Sequence, residues 1–165
     1  MTKVVSRKSI EDFIPEIYDG KIRDGLLDLI KSLRENKMNP APSSASTWKI
    51  SYKGCVVCYF RYDSDAKKIA IHPIIGEYEP SSLSDELKEI VWANKITGRY
   101  CYRCHACSYT LNRIFGREYS DACGQSIVFT NPSDGEIEYI IKLLEMRRYV
   151  IKHGKLLPTL PRNFG

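Results

Sequence analysis

Residues 48 to 74, WKISYKGCVVCYFRYDSDAKKIAIHPI, decide the fold, because here the apolar period drops from the helical value to two. Trp48, Ile50 and Tyr52 alternate with Lys49, Ser51 and Lys53, the pattern of a strand with one buried face. Lys53-Gly54 reads as a tight turn into a second strand over Cys55 to Tyr62. Asp63-Ser64-Asp65-Ala66 reads as another turn, leading to a third strand from Lys68 to Ile74 that ends near Pro73. Consecutive strands joined by such short turns predict an antiparallel meander.

On its N-terminal side the chain reads as helical. Ser9 caps a short element carrying Ile10, Phe13, Ile14 and Ile17, kept short by Pro15. A firmer helix runs from about Asp19 to Lys37, with Ile22, Leu26, Leu29, Ile30 and Leu33 in one stripe. Met38 to Thr47, with its two prolines and small polar residues, reads as an extended connector. Beyond the meander, Leu83, Leu87, Ile90 and Val91 mark a helix starting near Ser82, and Ser126 to Thr130 a short strand. Asn131-Pro132-Ser133-Asp134 then opens a long helix to about Lys152, whose buried face is Ile137, Ile140, Ile141, Leu144 and Ile151. The expected architecture is a single α+β domain over residues 1–165. An antiparallel sheet of three to four strands is covered by the N- and C-terminal helices, with a cysteine-rich loop over about 95–125 and a tail over 155–165.

Composition agrees with a folded, water-soluble chain: of 165 residues, 43% are apolar and 27% charged. No apolar run approaches the roughly 20 residues of a membrane span, and the N-terminus shows no hydrophobic signal core. A cytoplasmic protein without a membrane partner is expected. The net charge of +5 lies wholly in residues 94–165, which hold 11 Lys or Arg against 6 Asp or Glu.

That basic part also holds four of the six cysteines, as Cys101-x2-Cys104-x2-Cys107-x15-Cys123-Gly124. In a reducing compartment such a cluster points to metal before disulfides. Thiolates two residues apart can converge on one ion, and four of them complete a tetrahedral zinc site with no open position for water. Gly124 would let backbone amides approach the last sulfur. His105 offers an alternative ligand, though its adjacency to Cys104 hinders simultaneous use. An iron–sulfur cluster ranks below Zn2+, since ferredoxin-type runs bring their fourth cysteine after three residues and follow it with proline. Cys55 and Cys58 share the two-residue spacing. Positions three apart on a regular strand face opposite ways, so they read as small buried hydrophobes instead of a ligand or redox pair.

Arg99, Arg103, Arg113 and Arg117 interleave with Tyr100, Tyr102, Tyr109 and Phe115, a mixture that single-stranded nucleic acid would accept. A metal-clamped loop whose aromatics fill a small satellite core and whose arginines face water is the preferred explanation of them. His72 and His153 lack the partners of a catalytic triad, and no phosphate loop or zinc-hydrolase motif is present. Cys101-x2-Cys104-x2-Cys107, Ile114-Phe115-Gly116-Arg117-Glu118-Tyr119, Cys123 and Phe129-Thr130-Asn131-Pro132, about a third of the chain, resemble a group of small bacterial cysteine-cluster α+β proteins with no assigned function. The resemblance implies neither an activity nor functional residues. The sequence thus leads to a zinc-binding, non-enzymatic binding or regulatory module. Three alternatives are a nucleic-acid-binding module, a thiol-redox protein, and a small-molecule binder near Trp48, Tyr52 and Tyr59.

Overall fold

The computed structural model describes residues 8–44, 46–74, 83–97, 112–119 and 122–153. The chain is α+β, with four helices and a five-stranded antiparallel sheet among the described residues. Helix α1 (Ile10–Ile17) starts where expected, the Ser9 hydroxyl accepting from the amide of Asp12 at 3.3 Å. Helix α2 (Gly20–Glu35) buries Leu26, Leu29, Ile30 and Leu33, but Ile22, expected in the same stripe, is 44% exposed. It sits in the first turn of α2, ahead of the buried residues, which begin at Leu26.

The connector of residues 38–47 is in fact an edge strand, β1 (Asn39–Ser44), paired with β2 (Thr47–Tyr52). Pro40 and Pro42 are compatible with it because β1 is the outermost strand and residues two apart direct their amide positions the same way. Both missing donors fall on the side that has no neighbour to serve. β3 (Cys55–Asp63) and β4 (Lys68–Pro73) complete the expected meander, and β9 (Phe129–Thr130) adds the fifth strand beside β4. The turns follow the residues that make them. Lys53 and Gly54 both take positive φ, 49° and 78°, as a two-residue hairpin requires. The Asp63 carboxylate accepts from the amides of Asp65 and Ala66 at 2.9 and 3.0 Å, shaping the next turn.

Trp48, Ile50, Tyr52, Cys58, Phe60, Ile69, Ile71 and Phe129 form the sheet's contribution to the core, and α1, α2 and α4 (Asp134–Lys152) supply the other layer. Ile140, Leu143 and Leu144 are fully buried along α4, each stabilising by roughly 1.5–3 kcal/mol relative to exposure. At Gly25 a Cβ would stand 3.1 Å from Ile137 Cδ1, so α2 and α4 approach closely there. The α4 start carries a complete capping box between Ser133 and Glu136. The opposite face of the sheet is also buried at one end: Ile71, His72, Pro73 and Ile74 are buried in succession, so both sides of β4 are covered here.

Tyr18 ties three segments together. Its hydroxyl donates to Asn131 Oδ1 at 2.7 Å and accepts from the Ile69 amide at 2.9 Å. Asn131, at φ 44°, returns its own amide to the Ile69 carbonyl. The corner between β9 and α4 is thereby fastened to the start of β4.

Candidate functional site

Helix α3 (Asp85–Ala93), capped by the Ser84 hydroxyl on the Leu87 amide, delivers the chain to the cysteine segment. Its first residue, Asp85, lies three positions after Ser82, where the apolar pattern placed the start. Strand β5 (Lys95–Thr97) follows immediately and pairs antiparallel with β8 (Ala122–Ile127), in the register Lys95↔Ile127 and Thr97↔Ala122. The Val128 amide donates to the Asn94 carbonyl at 3.0 Å, extending this junction by one bond. The strand expected over 126–130 is therefore two strands. β8 begins earlier and pairs with β5, Val128 separates them, and β9 joins the main sheet.

Between the two paired ends lies a hairpin, β6 (Asn112–Ile114) and β7 (Arg117–Tyr119). Its turn residues Phe115 and Gly116 take φ 48° and 85°. A left-handed conformation is costly for a bulky side chain such as Phe115, which is nevertheless buried in the core with Ile114. Burial holds the strained residue in place. The hairpin docks on α3: Trp92 Nε1 donates to the Ile114 carbonyl at 2.7 Å, and the Arg117 guanidinium lies 5.4 Å from the Trp92 ring centroid. Tyr139 of α4 donates to Glu86 at 3.0 Å, linking α3 to the main helical layer. This bond to a carboxylate raises the tyrosine's pKa.

Of the expected metal ligands, Cys123 lies on β8 beside Ala122, while Cys101, Cys104, Cys107 and His105 fall outside the described residues, as do Arg99 and Arg103. No group of three or more histidine, cysteine or acidic side chains assembles among the described residues. In the hairpin, the register pairs Arg113 with Glu118 and Arg117 with Ile114, so the two arginines stand on neighbouring rungs.

The two-residue spacing of Cys55 and Cys58 has a different outcome from the expected one. Ile50 pairs with Cys58 but Ser51 pairs with Val56, leaving Val57 as an extra residue in a β-bulge. Tyr52 is consequently opposite Cys55, and residues directly opposite share a face. The bulge reverses the parity, so both cysteines belong to the helix-covered face. Cys58 is buried and Cys55 half-buried. Trp48 and Tyr52 occupy that face too, Trp48 Nε1 donating to the Lys8 carbonyl at 2.9 Å, whereas Tyr59 pairs with His72 on the other face. The three aromatic residues do not line one concave surface. His72 is 4% exposed, and His153 caps α4 with its ring 4.1 Å from that of Tyr149.

Sequence reasoning missed one feature of α4. Its buried face continues from Leu143 and Leu144 to Arg147, which is 9% exposed, with Nε finding no hydrogen-bond partner among the described residues. The signal was present as a gap: the apolar stripe steps from Leu144 to Ile151, and the turn between them is filled by arginine. Among the described residues no helix is long and apolar enough to cross a membrane. No family model, curated protein or solved structure matches the chain.

Proposed function

We propose that the protein is a zinc-binding, non-enzymatic binding module in which Cys101, Cys104, Cys107 and Cys123 clamp the segment between β5 and β8. The observation supporting this reading is the Thr97↔Ala122 pair, which precedes the last cysteine by one residue and the first by four. Fully extended, the stretch from Cys101 to Cys123 would reach about 75 Å. With the strands paired, their Cα atoms lie about 5 Å apart, and only a four-residue lead of about 14 Å remains to be folded back. Replacing the longer closure by one of about five links reduces its entropic cost by roughly 1.3 kcal/mol, about ninefold in metal affinity. The docked β6–β7 hairpin shortens the free stretch further. A tetrathiolate site at this position would fix the surface on either side of the hairpin for a partner.

Elemental analysis of untagged protein, purified without chelator, tests the reading. One zinc per chain is expected, reduced in Cys104→Ser and in Cys123→Ser, with a fall in thermal stability when a chelator removes it. Stoichiometric iron would assign a cluster in place of zinc. Metal-free wild type whose stability ignores both zinc and chelator would refute the proposal.

A further inference from the structure

We infer that residues 123–126 of β8 form an arch that presents Cys123 as a metal ligand and supplies backbone amides to its thiolate, an inference that rests on the zinc reading above. A regular antiparallel ladder that pairs Lys95 with Ile127 would pair Thr97 with Gln125, whereas Thr97 pairs with Ala122, three residues earlier. Cys123, Gly124, Gln125 and Ser126 therefore stand together opposite the single residue Ile96. A common bulge sets two residues against one, so this interruption is a much larger one. Lys95 and Thr97, two residues apart on β5, hold their partners about 7 Å apart, while the five links from Ala122 to Ile127 would span about 17 Å if extended. Chain of that length closes such a gap only by arching out of the ladder. Both feet of the arch are fixed. The Thr97↔Ala122 rung holds one; at the other, Ile127 is fully buried and the next amide, that of Val128, donates to the Asn94 carbonyl at 3.0 Å. β8 also touches β6 of the hairpin and β4 of the main sheet.

Regular pairing with β5 would engage the amides of these residues in the ladder. An arch releases them, and each backbone donor so released needs another acceptor. A tetrathiolate zinc site carries a net charge of about −2, and N–H donors around its sulfurs offset that charge and tune how strongly each thiolate binds the metal. Successive amides on a tight curve converge on one anionic atom, as they do in phosphate-binding nests. Cys123 is the first residue of the curve, so the amides that follow it are the ones a thiolate at that position would accept from. Gly124 comes directly after, and without a Cβ the chain can turn there close to a bulky sulfur. The same cysteine on a regular rung would find its neighbours' amides already committed to strand pairing. Gly124 is thus a positioning residue, and the three surplus residues are what fits the fourth cysteine to a metal.

Deleting Gly124, Gln125 and Ser126 tests the arch, because it restores a regular ladder with Cys123 opposite Ile96 and Ile127 still opposite Lys95. Wild type, this deletion and Gly124→Val are compared by competition for zinc against a chromophoric chelator. The sulfur-to-metal charge-transfer band of the cobalt-substituted proteins gives a second readout. The deletion should bind zinc about a hundredfold more weakly, at the upper end of what losing a ligand's supporting bonds costs. Its cobalt band should also be weaker, since fewer thiolates reach the ion, while its metal-free thermal stability is unchanged or higher. Gly124→Val should lose about tenfold in affinity. Its band should keep its intensity and move to longer wavelength, as expected when a thiolate loses hydrogen bonds. Should the deletion not fold, Gly124→Val carries the test alone. Wild type that binds no metal would overturn the zinc reading and the arch together. With metal-loaded wild type, a folded deletion that binds zinc as tightly, or a Gly124→Val band that does not move, would overturn the arch alone and leave the four thiolates standing.

Discussion

Tyr18→Phe removes one oxygen from the junction of α1, β4 and the β9–α4 corner, and its cost can be worked from the bonds made there. The hydroxyl donates to Asn131 Oδ1 at 2.7 Å and accepts from the Ile69 amide at 2.9 Å. Ile69 retains a second acceptor, Asn131 Oδ1 at 3.1 Å, so the substitution orphans no buried backbone donor. The expected loss is therefore at the modest end, about 1 kcal/mol, lowering the unfolding midpoint by roughly 2–4 °C. Asn131→Ala is expected to cost about 3 kcal/mol. It strands the Tyr18 hydroxyl and forces a side chain with no local hydrogen bond into φ 44°, a conformation costing roughly 1–2 kcal/mol by itself. Asn131→Gly accepts that φ and should recover the conformational part alone. Urea denaturation of the single variants and of Tyr18→Phe/Asn131→Gly closes a double-mutant cycle, in which about 1 kcal/mol of coupling is expected. A Tyr18→Phe effect below about 0.3 kcal/mol, or strict additivity in the cycle, would refute the network as the fastener of this corner. The same oxygen has a pH signature. Burial chiefly, with the nearby Tyr62, pushes the Tyr18 pKa up, and the Ile69 amide only partly opposes this. A folded pKa above the unfolded value near 10 means that the native state holds the proton longer. Its contribution is complete below that unfolded value and is lost as pH rises toward the folded one, a decline that Tyr18→Phe should flatten.

Removing the α4 cap by Ser133→Ala takes away the acceptor of the Glu136 amide and one side of the capping box, and should cost about 1 kcal/mol in urea unfolding, with Ser133→Asp close to wild type. Glu11 is hydrogen-bonded by Arg34, which lowers its pKa first and most against partial burial. Its contribution is present above the unfolded glutamate pKa and is lost as pH falls through the lower folded value. Both groups are partly solvated, so well under about 1 kcal/mol is at stake. Glu11→Gln should accordingly reduce the acid-limb slope slightly in a pH series, and an unchanged slope would remove this pair from the account.

Much of the fold was legible in residues 48–74, where the period of two and the turns at Lys53-Gly54 and Asp63 correspond to strands β2 to β4. The helix start at Ser9 was equally readable, because capping is a contact over three residues, and the stretch 131–134 marked the start of α4 without singling out Ser133 as its cap. Pro40 and Pro42 concealed β1, since only the strand's place at the sheet edge makes proline harmless there. The cysteine spacing was visible as chemistry, but the β5–β8 and β6–β7 pairings were not, because strands of three residues carry too little pattern to be recognised.

Sequence alone determined the local order of this chain: which stretches alternate, which turn, and where four thiols recur at metal-binding intervals. Tertiary structure decided what those residues face. A single extra residue at Val57 put Cys55 and Cys58 on the same side, and one ladder rung joined Thr97 to Ala122. The packing of α4 left a cationic side chain where an apolar one was due. Periodicity and capping act over a few neighbouring residues, whereas bulges, long-range pairing and the burial of a charge are set by partners distant along the chain, whose identity no local pattern contains.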